Sequence, residues 1–332
     1  MKTNIAWCFL FGIMVCPSVL HSQNDSIATV RGTISTNDLS LSLTHEHIMS
    51  NYGVSMDSTA FYDEKALFEQ VVPYLKSLRQ QGVRSVFDCT TAYFGRRVDL
   101  LEEISKRTDI HIIANTGFYG SANDRYIPQL AYEQPVEEIA QIWTNEFEEG
   151  IDGTKIKPGF IKLAFDSGSP STIDLKLVEA GILTHLETGL TMAIHTGENR
   201  DAAQKTLSLL NKHQVSPSAW VWVHANKQED NEMLFEMARL GTWISLDGVN
   251  PSNYKDYVDR LQKFKNDGLL KKVLLSHDGN GFPAGGAIRS FDAITQFLIP
   301  ELKTEGFTEN EIEQLTIENP KKAFTPVIRR SE

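Results

Sequence analysis

The sequence has little with which to cross-link itself, span a bilayer or grip nucleic acid. It contains three cysteines in 332 residues, Cys8, Cys16 and Cys89. The first two fall in an N-terminal leader. Cys89 alone cannot make an internal disulfide, even in an oxidising compartment, and reads as a small buried apolar residue. Positive charge is also short: 32 Lys and Arg stand against 43 Asp and Glu, a net charge of −11. That excludes a broad nucleic-acid footprint and says little about a small-molecule substrate. The apolar stretch at the N-terminus, Ile5 to Cys16, follows Lys2 and gives way to "HSQND". It is too short for a spanning helix and has the grammar of a signal peptide. Residues 1–22 are therefore expected to be removed. Residues 23–332 would form an exported, periplasmic or secreted protein with no stable membrane insertion after cleavage. There is no internal repeat, no low-complexity tract and no G-x-G-x-x-G turn after the first strand-like run. The last absence weakens a doubly wound dinucleotide fold.

What is present is an alternation. Short apolar or β-branched runs recur: "LSLT", "SVFDC", "HIIANT", "GFIKLAF", "TMAIHT", "WVWVHA", "TWISLD" and "KVLLSHD". An amphipathic stretch follows each, such as "EKALFEQVVPYLKSLRQQG", with helical spacing and Gly82 as a C-terminal stop. Eight strand–helix units without a linker predict a single-domain α/β fold, a (β/α)8 TIM barrel, with an extra C-terminal helix near 309–324. Such a barrel commonly takes about 250 residues as one domain, which this chain accommodates.

In a (β/α)8 barrel the chemistry sits at the C-terminal ends of the strands. The first run ends in His45 and His47, the fifth in His195, the sixth in His224 and the eighth in Asp278, while the fourth carries Lys162. Residues i and i+2 of a strand share a face, so His45 and His47 converge and Glu46 points away as a packing or supporting carboxylate. "HEHIM" is not an H-E-x-x-H zinc helix, because Met49 holds the last position. Each histidine alone could be an ordinary satisfied polar residue; a closed barrel would bring all of these side chains to one mouth. Lys162 is the unusual one. A lysine inside an apolar strand either extends its amine to solvent or pairs with a carboxylate. Otherwise burial favours the neutral amine, which can act as a base or be modified. Carbon dioxide added to that amine would give an anionic metal bridge, which the physics permits and the sequence does not compel.

The pieces "THEHI", "FDCTT…GR", "NTGFYG", "GTKIKPGFIKLAF", "IHTG", "VHAN", "LLSHD" and "ENPKKAF" resemble the phosphotriesterase family of the amidohydrolase superfamily, across about Thr29 to Phe324. The resemblance implies two divalent metal ions per chain, usually zinc. By it, His45, His47 and Asp278 hold the buried metal and His195 and His224 the exposed one. Lys162, as N6-carboxylysine, bridges the two together with a hydroxide. That hydroxide would attack a lactone, ester, amide or phosphoester, with Asp278 as the catalytic proton acceptor. A homodimer is common in the family. Two other readings stand beside this one: a catalytically silent metal- or ligand-binding barrel, and a mononuclear deaminase-type amidohydrolase. The chain departs from the family at Gly95-Arg96-Arg97 and at Ala225-Asn226, which puts the substrate in doubt more than the metals. The segment "GNGFPAGGAIRSF" after Asp278 is shorter and richer in glycine than the loop of the family's lactonases, so a long acyl-homoserine lactone is not the expected substrate. Tyr93, Phe94, Tyr119, Asn226, Asp247, Phe282 and Arg289 fall on strand ends or loops at the mouth, and all of these but Asp247 are substrate-pocket candidates. Arg96 or Arg289 could hold a substrate carboxylate or phosphate in its planar fork.

Overall fold

The computed structural model describes residues 25–52, 54, 62–284 and 287–331. The expected signal peptide lies outside them. An antiparallel hairpin, β1 (Ser26–Thr29) and β2 (Gly32–Ser35), comes first. It is not legible in the sequence, because "SIAT" and "GTIS" each set a single large apolar residue among small and polar ones and do not stand out as apolar runs. The barrel then begins with β3 (Ser42–His47), β4 (Ser85–Asp88), β5 (His111–Ile113), β6 (Asn115–Thr116) and β7 (Phe160–Ala164). It continues through β8 (Met192–His195), β9 (Trp220–Val223), β10 (Trp243–Leu246), β11 (Val273–Leu275) and β12 (Gly279–Asn280).

All barrel neighbours pair in parallel. Two of the eight runs are each split in two. β5 pairs with β4 while β6 pairs with β7, and the break falls at Ala114. Likewise β11 pairs with β10 while β12 pairs with β3, and the break spans Ser276 to Asp278. The two sheets therefore join into one ring at these breaks, and Asp278 sits in the second. Helices α1 (Glu64–Gln80), α2 (Val98–Thr108), α3 (Gln129–Glu133), α4 (Val136–Glu148), α5 (Thr172–Thr188), α6 (Arg200–Lys212), α7 (Asn231–Leu240) and α8 (Tyr254–Asn266) surround it, with further helical turns over 294–304 and 309–324.

The barrel interior follows the strand period of two. Phe87, Ile113, Phe160, Ala193, Val221 and Leu274 pack inside, against Ile27 of the hairpin and Phe324 of the last helix. Phe87, Phe160 and Phe324 form an aromatic plug with ring centroids 4.4–5.7 Å apart. On β7 the residue two beyond Phe160 is Lys162, so the same inward face carries the lysine from the plug towards the mouth. Among the described residues no helix is long and apolar enough to cross a membrane.

Candidate metal centre

The first two histidines are set by how the ring closes. Glu46, between them, points away from the mouth and is fully buried. Its Oε1 accepts from Ser276 Oγ at 2.7 Å and His277 Nδ1 at 2.6 Å, and its Oε2 from Gly279 N at 2.7 Å. One carboxylate thus ties the kinked eighth strand to the first. Gly279 is needed there, since a Cβ would lie 2.4 Å from Phe291 and 2.8 Å from Glu46 Oε2. His277 accepts Ile294 N–H on Nε2, so its proton is on Nδ1 and the ring is neutral.

With Glu46 fixed outward, His45 and His47 point into the mouth. Each Nε2 lies 3.5 Å from Asp278 Oδ1. His47 Nδ1 is 2.8 Å from Thr90 Oγ1, whose hydroxyl donates to Met49 O. Thr90 therefore accepts from Nδ1–H, and the lone pair of His47 Nε2 is left for the site. His195 and His224 come from two adjacent strands across the ring, at the end of β8 and just after β9, with centroids 4.3 Å apart, and His45 to His224 is 4.8 Å. Ligand atoms of His45, His224 and Asp278 all lie within 4.8 Å of one another. His224 (φ 59°) and Asp278 (φ 53°) both adopt left-handed backbone, a strain of about 1–3 kcal/mol each that the surrounding hydrogen bonds must outweigh.

Lys162 is fully buried. Its Nζ reaches only the carbonyl of Leu163, at 3.5 Å, and the Tyr119 ring, 5.5 Å to centroid; no carboxylate lies within ion-pair distance of it among the described residues. The third-strand loop passes over the lysine backbone at Gly117 (φ 120°), where a Cβ would strike Lys162 O at 2.1 Å. Tyr119 then places its hydroxyl 3.1 Å from His195 Nδ1 and stacks on Phe94, which meets His47 edge-on at 5.5 Å. These aromatic contacts hold two of the histidines from the side.

The electrostatics favour cations that are not protons. Burial pushes the His47 ring down to about 4. Burial, the largest influence on each, holds His195 and His224 well below their ordinary values. These rings are neutral, the form that binds metal. Burial likewise lowers the Lys162 amine. Burial opposes ionisation of Asp278, but its contacts with the surrounding imidazoles, His47 first, outweigh it and hold the carboxyl well below the usual range. His45 runs the other way. Burial opposes its proton, yet the Cys89 sulfur and the Asp247 carboxylate raise it, so the field at this spot favours positive charge. His45 Nδ1 is buried with Asp247 Oδ2 3.5 Å away, which leaves Nε2 facing the site. Imidazole nitrogens, a carboxylate and a buried amine gathered at one mouth fit divalent cations.

The pocket above these groups encloses about 720 Å³ and is bordered by Phe94, Tyr119, His195, His224, Asp278 and Arg289. Of the expected pocket residues, Phe94, Tyr119 and Arg289 line it. Tyr93 packs beside Phe118 with its ring largely exposed, and Phe282 lies against Tyr62. Asn226 turns to the backbone of Asp247. None of these three borders the cavity. Arg96 corrects the sequence reading. Its fork is buried and spent on Glu146, at 2.6 and 3.1 Å, and on Asn115 O at 2.8 Å, so it cannot receive a substrate anion. Asp247 was read as a mouth residue. It is fully buried and accepts from His224 N at 2.8 Å and Ser245 Oγ at 2.7 Å, with His45 Nδ1 and His224 Nδ1 at 3.5 and 3.4 Å. It braces the histidines from behind, and its place at the end of "TWISLD", one strand from His224, was the available signal.

A nitrogen-rich mouth built around one carboxylate, at the C-terminal face of a (β/α)8 barrel, is the donor set of a metal-dependent hydrolase. The chain belongs to the phosphotriesterase family, whose model matches residues 25–324. It is 27% identical over 296 residues to the phosphotriesterase homology protein of Escherichia coli K12, covering 85% of this chain and 97% of that one. It is 26% identical over 310 residues to the aryldialkylphosphatase of Saccharolobus solfataricus, covering 89% and 98%. It is 23% identical over 352 residues to the N-acetyltaurine hydrolase of Xenopus tropicalis, covering 92% and 99%.

Proposed function

We propose that this hydrolase works with two divalent ions, most simply zinc, joined by a carboxylated Lys162, and cleaves a small lactone, ester, amide or phosphoester. The observation that carries this reading is the buried Lys162 amine, which has no carboxylate within ion-pair distance among the described residues. A neutral amine adds through its lone pair to the carbon of carbon dioxide and loses a proton to solvent. The carbamate anion so formed would replace the buried amine with an anionic group able to hold divalent ions. His45, His47 and Asp278 would hold one ion, His195 and His224 the other, and Lys162 both. Ions bound there supply an activated water near neutral pH and polarise the substrate's carbonyl or phosphoryl oxygen.

The chain's own residues supply the rest. Asp278 accepts the proton of the attacking water at its carboxylate and returns it to solvent or to the leaving group. Thr90 and Tyr119 fix the ring orientations of His47 and His195. Phe94 and Tyr119 form an apolar wall against which a substrate can lie with little water. The names of the relatives cover a phosphoester and an amide, which supports one hydrolytic centre serving different substrates through different loops. The leader pattern over 1–22 supports export, tested by the mass of the mature N-terminus. The catalytic reading is tested with metal-loaded protein on a panel of lactones, aryl esters, N-acyl amides and phosphoesters. Metal-dependent turnover of at least one class is expected; turnover that survives complete chelation would refute it.

A further inference from the structure

Arg289 stands on the pocket wall and was read as a candidate clamp for a substrate anion, but its contacts indicate a different task. Its Nε donates to Asp278 O at 2.8 Å, and its Nη2 lies 3.3 Å from Asp278 Oδ2. The backbones also meet: Asn280 N donates to Arg289 O at 2.8 Å, and Arg289 N to Asn280 O at 3.0 Å. This isolated antiparallel bridge fixes the returning loop beside the kink in strand eight. Asp278 itself is held in left-handed backbone at φ 53°, with its N–H on His45 O at 3.2 Å.

The two carboxylate oxygens are therefore divided. Oδ1 faces His45 and His47, each at 3.5 Å, and Oδ2 faces Arg289. Among the described residues, Arg289 is the one side chain outside the proposed ligand set in ion-pair contact with this carboxylate. Asn226 and Asp247, which could have stood behind it, are engaged with each other and with the histidines. A lysine could offer one charge here but not a fork that reaches both the carbonyl and the carboxylate of one residue.

We propose that Arg289 is a positioning residue: it locks the backbone kink and the carboxylate rotamer of Asp278 so that Oδ1 is presented to the metal side. This rests on the reading of Asp278 as a ligand and proton acceptor. The donors it spends on Asp278 are not available to a substrate anion.

The test uses full-length protein loaded with cobalt(II), comparing wild type, Arg289→Ala and Arg289→Lys. Each is assayed on one neutral and one anionic substrate of the class the wild type turns over. Loss of the positioning contact should lower kcat about tenfold or more for both substrates, with KM little changed. The visible cobalt bands, which report coordination without catalysis, should shift in Arg289→Ala. Added guanidinium should restore part of both signals, and Arg289→Lys should recover less than guanidinium does. A rise in KM confined to the anionic substrate, with kcat and the cobalt spectrum unchanged, would overturn the proposal in favour of a substrate clamp. Unchanged behaviour in every measurement would overturn it too. A wild type that binds no cobalt and turns over nothing would instead refute the functional reading beneath it.

Discussion

Two groups of histidines in this barrel are treated in opposite ways. His277 and His185 use both ring nitrogens. His277 pairs with Glu46 and Ile294 N, at 2.6 and 3.0 Å, and His185 pairs with Leu190 O and Arg329 N, at 2.8 and 3.0 Å. The fold satisfies them completely. His45, His47, His195 and His224 instead crowd together at the mouth, with neighbouring centroids 4.3–5.7 Å apart, and Nε2 of His45 and of His47 stops 3.5 Å short of Asp278 Oδ1. A buried polar nitrogen left unmatched costs about 1–3 kcal/mol. The contrast shows where the chain solves its polar problems with protein atoms and where it leaves them for something else. Lys162 belongs with the second group.

If that contrast is right, substitutions at the mouth should damage chemistry, and substitutions among the satisfied histidines should damage stability. The largest effect is expected from Lys162→Ala. Turnover should fall about 10³-fold or more, with loss of bound metal, because the bridging anion goes. Short carboxylates such as propionate should restore part of it, read by activity and metal analysis. Next is Asp278→Asn, which keeps the shape but removes the proton acceptor; kcat should fall about 10²–10⁴-fold in steady-state assays. His185→Ala should leave turnover per folded molecule unchanged. It orphans Leu190 C=O and Arg329 N–H, so unfolding in urea should show a loss of about 2–4 kcal/mol.

The smallest effect is a pH dependence that His185 imposes on stability. Burial lowers its folded value from 6.5 to about 4. The unfolded chain binds a proton there that the native fold refuses. The contribution is therefore complete above about pH 6.5 and is lost as pH falls towards about 4, an effect of up to about 3 kcal/mol. Urea midpoints measured across that window should fall more steeply for wild type than for His185→Ala. Equal slopes would mean that His185 is not the group responsible.

Most of the barrel could be read from the sequence because its signals are local. Runs such as "TMAIHT" and "WVWVHA" announce a strand and what stands at its end, and the i, i+2 rule sets His45 and His47 apart from Glu46. Other features depend on partners far away in the chain. Nothing near Arg96 says that Glu146, far along the chain on α4, will fill its fork. Nothing in "TWISLD" shows that Asp247 turns back under His45 and His224. The breaks at Ala114 and Asp278 are set by closure of the ring, which no window of sequence records. Tyr93, Asn226 and Phe282 lie on the right loops, but loop conformation decides which way a side chain faces and carries no periodic signature.

The central claim is that Lys162 was left unpaired so that its carbamate can join two metals. The most direct measurement is metal content and ¹³C NMR of the protein after removal of metal and carbon dioxide, reloaded with zinc with and without ¹³C-bicarbonate. The account predicts about two zinc ions per chain and a carbamate resonance with bicarbonate, and poor zinc uptake without it. About one zinc ion per chain whatever the bicarbonate, with no carbamate resonance, would contradict it.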